Sequence, residues 1–347
     1  MNSQANLTPQ LTRFLSDMPK AELHIHIEGS LEPELIFALA KRNNVSIPFA
    51  SVEHLRKAYD FSDLQSFLDI YYAGASVLQT EQDFFDMTAA YLRKAASENV
   101  RRAELFFDPQ THTARGVDIG AVFAGLTRAI AEVGAETGIS AALILCFLRH
   151  LSEEDGFAAL EAAMPYRSQF IGVGLDSSEM GHPPEKFAAL FDRCRNLGLH
   201  IVAHAGEEGP PAYIESALDI LKVERIDHGV RILESPALTQ RVRDIKIALT
   251  VCPLSNIKLC VFKTLAEHNL KQLLDAGLIV TINSDDPAYF GGYLLQNFLE
   301  TFAALDLQMA DAYTLARNSL EASFAAPVQI SGWLVELDRV YAAAVSR

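Results

Sequence analysis

Histidine, aspartate and glutamate recur in this chain where short apolar runs end. His24-Ile25-His26 closes the first run, His204-Ala205-Gly206-Glu207 the fifth, Asp227-His228 the sixth and Ser284-Asp285-Asp286-Pro287 the eighth. On an extended strand residues i and i+2 share a face, so the imidazoles of His24 and His26 can reach one point. An HxH pair alone is a weak signal, and a lone buried histidine is more often a hydrogen-bonded core residue than a ligand. Four such endings in one chain are another matter. Neutral imidazole and carboxylate oxygen are the donors that zinc takes, as do several other first-row metals. Zinc lowers the pKa of a bound water from 15.7 to about 7, and chemistry on that water then needs an acid and a base nearby.

The elements that must bring these endings together are legible from hydropathy. Eight short apolar or β-branched runs are predicted as strands, at 21–27, 100–108, 140–149, 171–177, 200–207, 225–230, 247–256 and 279–287. Several are apolar throughout rather than alternating, which suits a parallel sheet covered by helices. Helix-period segments lie between them, such as PPEKFAALFDRCRNLG with a glycine at its end. Eight β-then-α units without a Pro/Gly/Ser-rich linker favour a single α/β domain over residues 1–347, a (β/α)8 TIM barrel. The structural alternative is a doubly wound open sheet, but no GxGxxG follows the first strand. The segment from about 28 to 98 is longer than the other connections and rich in aromatics. It is expected to be a helical lid inserted after strand 1, over the barrel face where active sites are built.

In a barrel the polar strand ends converge on one mouth. Binuclear barrel hydrolases often bridge two metals with a modified lysine near the end of strand 4. Here that strand reads IGVGLDSSE and has no lysine, so one metal is expected. His24, His26, His204 and Asp285 would hold it with a position left for water. Glu207 and His228 are the unassigned groups within reach.

Bulk properties narrow the remaining classes. The 347 residues are 50% hydrophobic and 21% charged, as in an ordinary globular enzyme. The net charge of −15 opposes binding to nucleic acid or to an anionic membrane surface. No apolar run approaches the roughly 18 residues of a membrane span. The first 20 residues lack the basic and apolar regions of a secretory signal and read as a polar lead-in with a short helix. Cys146, Cys194, Cys252 and Cys260 show no paired spacing, which suits free thiols in a cytoplasmic protein. A homo-oligomer is compatible with the sequence, which carries no signal for its size.

The segments PKAELHIHIEGSLEPE, VAHAGEEG, RIDHGVR, LTVCPLSN and INSDDPAYFGG resemble those of the adenosine/adenine deaminase family, from about residue 18 to about 320. The HxE…PCxxC signature of the cytidine-deaminase type is absent. The resemblance implies that His24, His26, His204 and Asp285 are ligands of one Zn2+. It also implies that Glu207 gives a proton to purine N1, that His228 orients and helps deprotonate the water, and that Asp286 hydrogen-bonds N7. Hydroxide would attack C6, so Glu207 must hold a proton at neutral pH, which calls for a raised pKa. The expected substrate is a small purine, and the expected product of adenine is hypoxanthine.

Two features favour the free base. The family's nucleoside enzymes usually place an aspartate two residues after the HxH pair, against the ribose, whereas this chain has Glu28. The strand-4 end, GLDSSEMGHPP, is shorter than the loop typical of those enzymes. These features, with FFDPQTHT and FLRHLSEED, are similar to adenine deaminases and place Glu28 in the substrate site. Adenosine, an N6-substituted adenine, or purine binding without turnover stand as alternatives. His112 and His150 match no ligand position, and Ser255 and Asn256 are expected to hold loop backbone.

Overall fold

A computed structural model describes residues 7–346. Eight strands follow one another in chain order around one sheet: β1 (Lys20–His26), β2 (Val100–Phe107), β3 (Ser140–Leu148), β4 (Phe170–Asp176), β5 (His200–Ala205), β6 (Arg225–His228), β7 (Ala248–Val251) and β8 (Ile279–Ile282). All seven successive pairings are parallel. The last contact of the circle lies beyond the end of β8. Asp285 donates its N–H to the His24 carbonyl (3.1 Å) and accepts the N–H of His26 (2.9 Å), bridging to Ile25 of β1. The sheet is therefore the (β/α)8 barrel expected, and its seam is closed by residues of the candidate site.

Outward-facing strand residues such as Leu105, Leu145, Val173 and Ile201 pack under the helices as one continuous core. A smaller apolar plug of Phe106, Ile144, Cys146 and Val202 fills the lumen. Below that plug, a buried ion pair crosses the barrel. Arg225 on β6 donates to Glu104 on β2 at 2.5 Å, and Glu104 also accepts from Arg102 (3.1 Å) and from the Phe324 amide (2.7 Å).

One irregularity matters for the site. The β1–β2 register slips between Glu22 and Ile25. A bulge of this kind re-aims side chains on the bulged strand. Glu22 consequently meets Tyr91 on the outer helix Glu81–Ser97 (2.5 Å), while the His24 and His26 rings face the luminal Phe106. With an unbroken pleat, Glu22 and His24 would share a face.

Between β1 and β2 lie the helices Pro33–Asn43, Val52–Lys57, Leu64–Ala75 and Glu81–Ser97. The last packs against β2 and the helix Ile119–Thr137, as an ordinary barrel helix does. Only Leu64–Ala75 reaches the barrel mouth. The polar lead-in at residues 1–6 lies outside the described residues, and a helix follows at Pro9–Asp17. No described helix is long and apolar enough to cross a membrane.

The Arg225–Glu104 pair generates a stability prediction. Breaking a buried ion pair leaves an uncompensated charge, which costs about 3–5 kcal/mol, so Glu104→Gln should lower the melting temperature and the urea midpoint markedly. Burial alone would raise the Glu104 pKa, but Arg225 and Arg102 hold it below its ordinary 4.5. Its contribution should thus be intact above about pH 4.5 and lost as the pH falls through the depressed value, a loss absent in the variant.

Candidate active site

The endings of β1, β5 and β8 deliver four donors to one place. Single ligand atoms of His24, His26, His204 and Asp285 all lie within 4.8 Å of one another, and all four residues are buried. His26 Nε2 is 3.2 Å from His204 Nε2 and 3.5 Å from Asp285 Oδ1, which is 3.3 Å from His24 Nε2. Hydrogen bonds on the far side of the rings decide what those nitrogens present. Thr250 gives its single hydroxyl proton to Asp227 (2.8 Å), so its oxygen must accept from His24 Nδ1 (3.0 Å). That leaves His24 Nε2 as a bare lone pair, and no donor reaches it. His26 Nδ1 faces Asp176 at 3.5 Å and His204 Nδ1 faces Asp227 at 3.7 Å. Carboxylates behind metal-binding imidazoles commonly set the ring tautomer in this way.

Bare nitrogens and a carboxylate oxygen this close repel one another unless a cation sits among them. Tetrahedral ligands at zinc distances of 2.0–2.1 Å are separated by about 3.3 Å, and the three measured separations bracket that value. The donor set fits zinc.

Asp285 and His228 both have left-handed backbones, with φ of 64° and 62°. Each such residue costs about 1–3 kcal/mol, which the surroundings must hold in place. For Asp285 the surroundings are the two seam hydrogen bonds and its neighbours. Asn283 accepts the Leu23 N–H through its side chain (2.9 Å), and Ser284 is bound through amide and hydroxyl to Glu22.

Glu207 sits beside the cluster, 3% exposed, with Oε2 at 3.5 Å from His228 Nε2 and no partner for Oε1. Burial pushes its pKa well above the ordinary 4.5, and the charges of Asp285, Glu179 and Glu208 push the same way. Its loop is held by a residue the sequence does not advertise. The buried Glu179 carboxylate accepts four consecutive amides, from Gly206 (2.7 Å), Glu207 (3.1 Å), Glu208 (2.8 Å) and Gly209 (2.7 Å). Gly206 is required there: its φ is 74°, and a Cβ would meet the Ile214 side chain at 2.4 Å.

His228 has its ring proton assigned by a relay. The Leu270 amide donates to His268 Nδ1 (3.0 Å), so His268 Nε2 carries the proton and gives it to the Asn256 carbonyl (3.1 Å). The Asn256 amide then faces His228 Nδ1 at 3.4 Å, which leaves the proton on Nε2, directed at Glu207 and Asp285. Burial holds the His228 pKa down to about 3, so the ring is neutral. Asn256, expected only to support loop backbone, is part of this relay.

Asp286 is 3% exposed, lines the cavity and has an unpartnered Oδ1. Its position depends on Gly29, where a Cβ would lie 1.9 Å from Oδ1. Burial, then Asp285, raises the Asp286 pKa well above 3.8. Glu28 is placed differently from the other expected site residues. Its Oε1 accepts from His112 Nε2 (2.8 Å) and the Asp108 amide (3.2 Å), and it is not among the residues lining the cavity. The cavity also contains Asp108 and Asp176, which the sequence reading passed over although each ends a strand (FFD and GLD). His150 is exposed and bonded to Ser177 at 2.8 Å.

The chain is similar to proteins of one family over nearly its whole length. The adenosine deaminase family model matches residues 19–339. A relative from Cupriavidus pinatubonensis, named adenine deaminase, is 65% identical over 325 residues, 94% of this chain and 93% of that one. The crystal structure of adenine deaminase from Arthrobacter aurescens superposes with a TM-score of 0.92 at 49% identity, covering 93% of this chain and 98% of that one. An amidohydrolase from Burkhoderia ambifaria, solved with bound Zn, gives a TM-score of 0.89 at 25% identity over 98% of this chain and 96% of that one. A barrel in which the ends of β1, β5 and β8 present three imidazoles and a carboxylate, with the family model matching residues 19–339, makes the chain a member of the adenosine deaminase family.

Proposed function

We propose that this protein hydrolyses adenine to hypoxanthine and ammonia, with one Zn2+ held by His24, His26, His204 and Asp285. The observation that carries the chemistry is the convergence of three imidazoles and a carboxylate beside a buried Glu207 whose pKa is pushed up. The base as substrate is supported by relatives named adenine deaminase at 62–65% identity over most of the chain. Zinc is supported by the donor set and by its presence in the Burkhoderia ambifaria relative. We read residues 1–347 as one cytoplasmic domain in which helix Leu64–Ala75, within the 28–98 insertion, covers the purine.

When bound, zinc supplies a Lewis acid that makes water acidic near neutral pH. The protein's own groups do the rest. Glu207 gives its proton to N1 as water adds at C6, and it holds that proton at pH 7 because of burial and its acidic neighbours. His228 orients the water through Nε2–H. The relay through Asn256 supports this orienting role and leaves Nε2 protonated. The Glu207 carboxylate formed when N1 is protonated therefore takes the proton the water loses on adding to C6 and returns it to the leaving amine. That amine departs as ammonia as the new C6 hydroxyl gives up its proton to form the carbonyl. Asp286, protonated in its buried setting, donates to N7. Glu28 acts on the substrate indirectly, through the Asp108 amide it holds. Adenine plus water gives hypoxanthine plus ammonia, with no other reactant.

The testing experiment is a comparison of adenine and adenosine as substrates of the zinc-loaded protein, by ammonia release. Adenine should be favoured at least ~100-fold in kcat/KM, a gap of roughly 2.7 kcal/mol; a preference for adenosine overturns the base assignment. Glu207→Gln should lower kcat by about 10²–10⁴ with zinc content unchanged. Because Glu207 acts protonated, kcat/KM should fall on the alkaline side as the pH rises through its raised value, a limb that Glu207→Gln should lack. Asn256→Leu should reduce kcat by about 10-fold or more while the protein still binds one zinc per chain by elemental analysis.

A further inference from the structure

The proposed mechanism leaves two carboxyl groups at the cavity unused, Asp108 and Asp176. Asp108 follows β2, is 2% exposed and lines the cavity, yet no donor reaches its Oδ1. Its other oxygen has only the Tyr71 hydroxyl, at 3.4 Å. Burial, then the charges of Asp176 and Glu28, push the Asp108 pKa well above 3.8. A buried carboxyl oxygen without a donor is still costly, and in a binding site the missing donor belongs to the ligand. Asp176, beside it, also has no hydrogen-bond partner on either oxygen, but its Oδ2 faces His26 Nδ1 at 3.5 Å, on the side of the metal cluster.

The topology says which part of a purine would face Asp108. Around the barrel mouth, Glu207 follows β5, His228 ends β6, Asp286 follows β8 and Asp108 follows β2. Around the ring of a purine, N1, C6, N7 and N9 follow in that same cyclic order. With N1 at Glu207, C6 at the metal cluster and N7 at Asp286, the next polar position is N9. In a free base N9 carries a hydrogen, which is a donor; in a nucleoside it carries a carbon, which is not. The backbone of Asp108 is fixed for this role, since its amide is bound by Glu28 Oε1, itself bound to His112.

We infer that Asp108 accepts the N9–H of the purine and is the residue that selects free base over nucleoside. The inference rests on the adenine deaminase reading and goes beyond it. It also places the influence of Glu28 on specificity in the Asp108 amide it holds rather than in contact with a sugar.

The test uses adenine and 9-methyladenine, which differ only at the proposed contact. The zinc-loaded wild type should prefer adenine by about 100-fold or more in kcat/KM, because a site built for a donor rejects the analogue that lacks it. Asp108→Ala should narrow that ratio by at least about 10-fold. Asp108→Asn keeps an acceptor oxygen and should retain more of the ratio than alanine. An unchanged ratio in Asp108→Ala, or a wild type indifferent to the methyl group, overturns the inference while adenine turnover persists. If Asp108→Ala does not fold, Asp108→Asn and the wild-type ratio still decide. Absence of adenine turnover in the wild type removes the deaminase reading instead. The ligand atoms of His26, Asp108 and Asp176 also lie within 4.8 Å of one another. Two zinc ions per wild-type chain, falling to one in Asp108→Ala, would therefore make Asp108 a cation ligand and overturn the inference.

Discussion

Two main-chain hydrogen bonds between Asp285 and the His24–His26 strand close the barrel, and the candidate site depends on them. A sheet closed into a barrel has no free edge, so every strand end is fixed relative to the others. Here the seam is made by donor residues themselves rather than by neighbours. The left-handed backbone at Asp285 is the cost of turning its carboxylate toward His24 and His26 while its amide and carbonyl still pair with β1. Asn283, Ser284 and Glu22 support that turn from both sides. Folding and assembly of the donor set are thereby the same event.

The second constraint is electrostatic. The mouth buries carboxyl groups in a place with little water, where an isolated negative charge is expensive. The structure treats them unequally. Glu179 is neutralised by four amides and Glu104 by two guanidinium groups. Glu207 and Asp286 have no such partners and are pushed toward their protonated forms. Identical chemistry at the side chain thus yields a clamp, a structural anion and two carboxyls with raised pKa. Environment assigns the role, and the environment comes from strands far apart in the chain.

The histidines show the same division of labour. His24 is held at Nδ1 by the Thr250 hydroxyl and His228 by the Asn256 amide, while Nδ1 of His26 and of His204 face the carboxylates of Asp176 and Asp227 at 3.5 and 3.7 Å. His24 is left with a lone pair at Nε2 and His228 with a proton there. The difference separates groups able to bind a cation from a group able to orient a water.

Much of this was legible in the sequence because parallel strands buried on both faces are written as apolar runs, and the polar residues ending them stand out. The eight strands, the convergence of His24, His26, His204 and Asp285, and the placement of Glu207, His228 and Asp286 at one mouth all follow from pattern and spacing. The bulge that sends Glu22 outward was not legible, because strand periodicity predicts facing only while the register is unbroken. Nor were the Glu179 clamp, the His268–Asn256–His228 relay, the retreat of Glu28 behind Asp108, or the bare oxygen of Asp108. Each is a hydrogen bond made or missed between residues distant in the chain. Local sequence determines which groups a strand end carries; only the closed barrel determines which partner each one meets, and hence which proton it keeps.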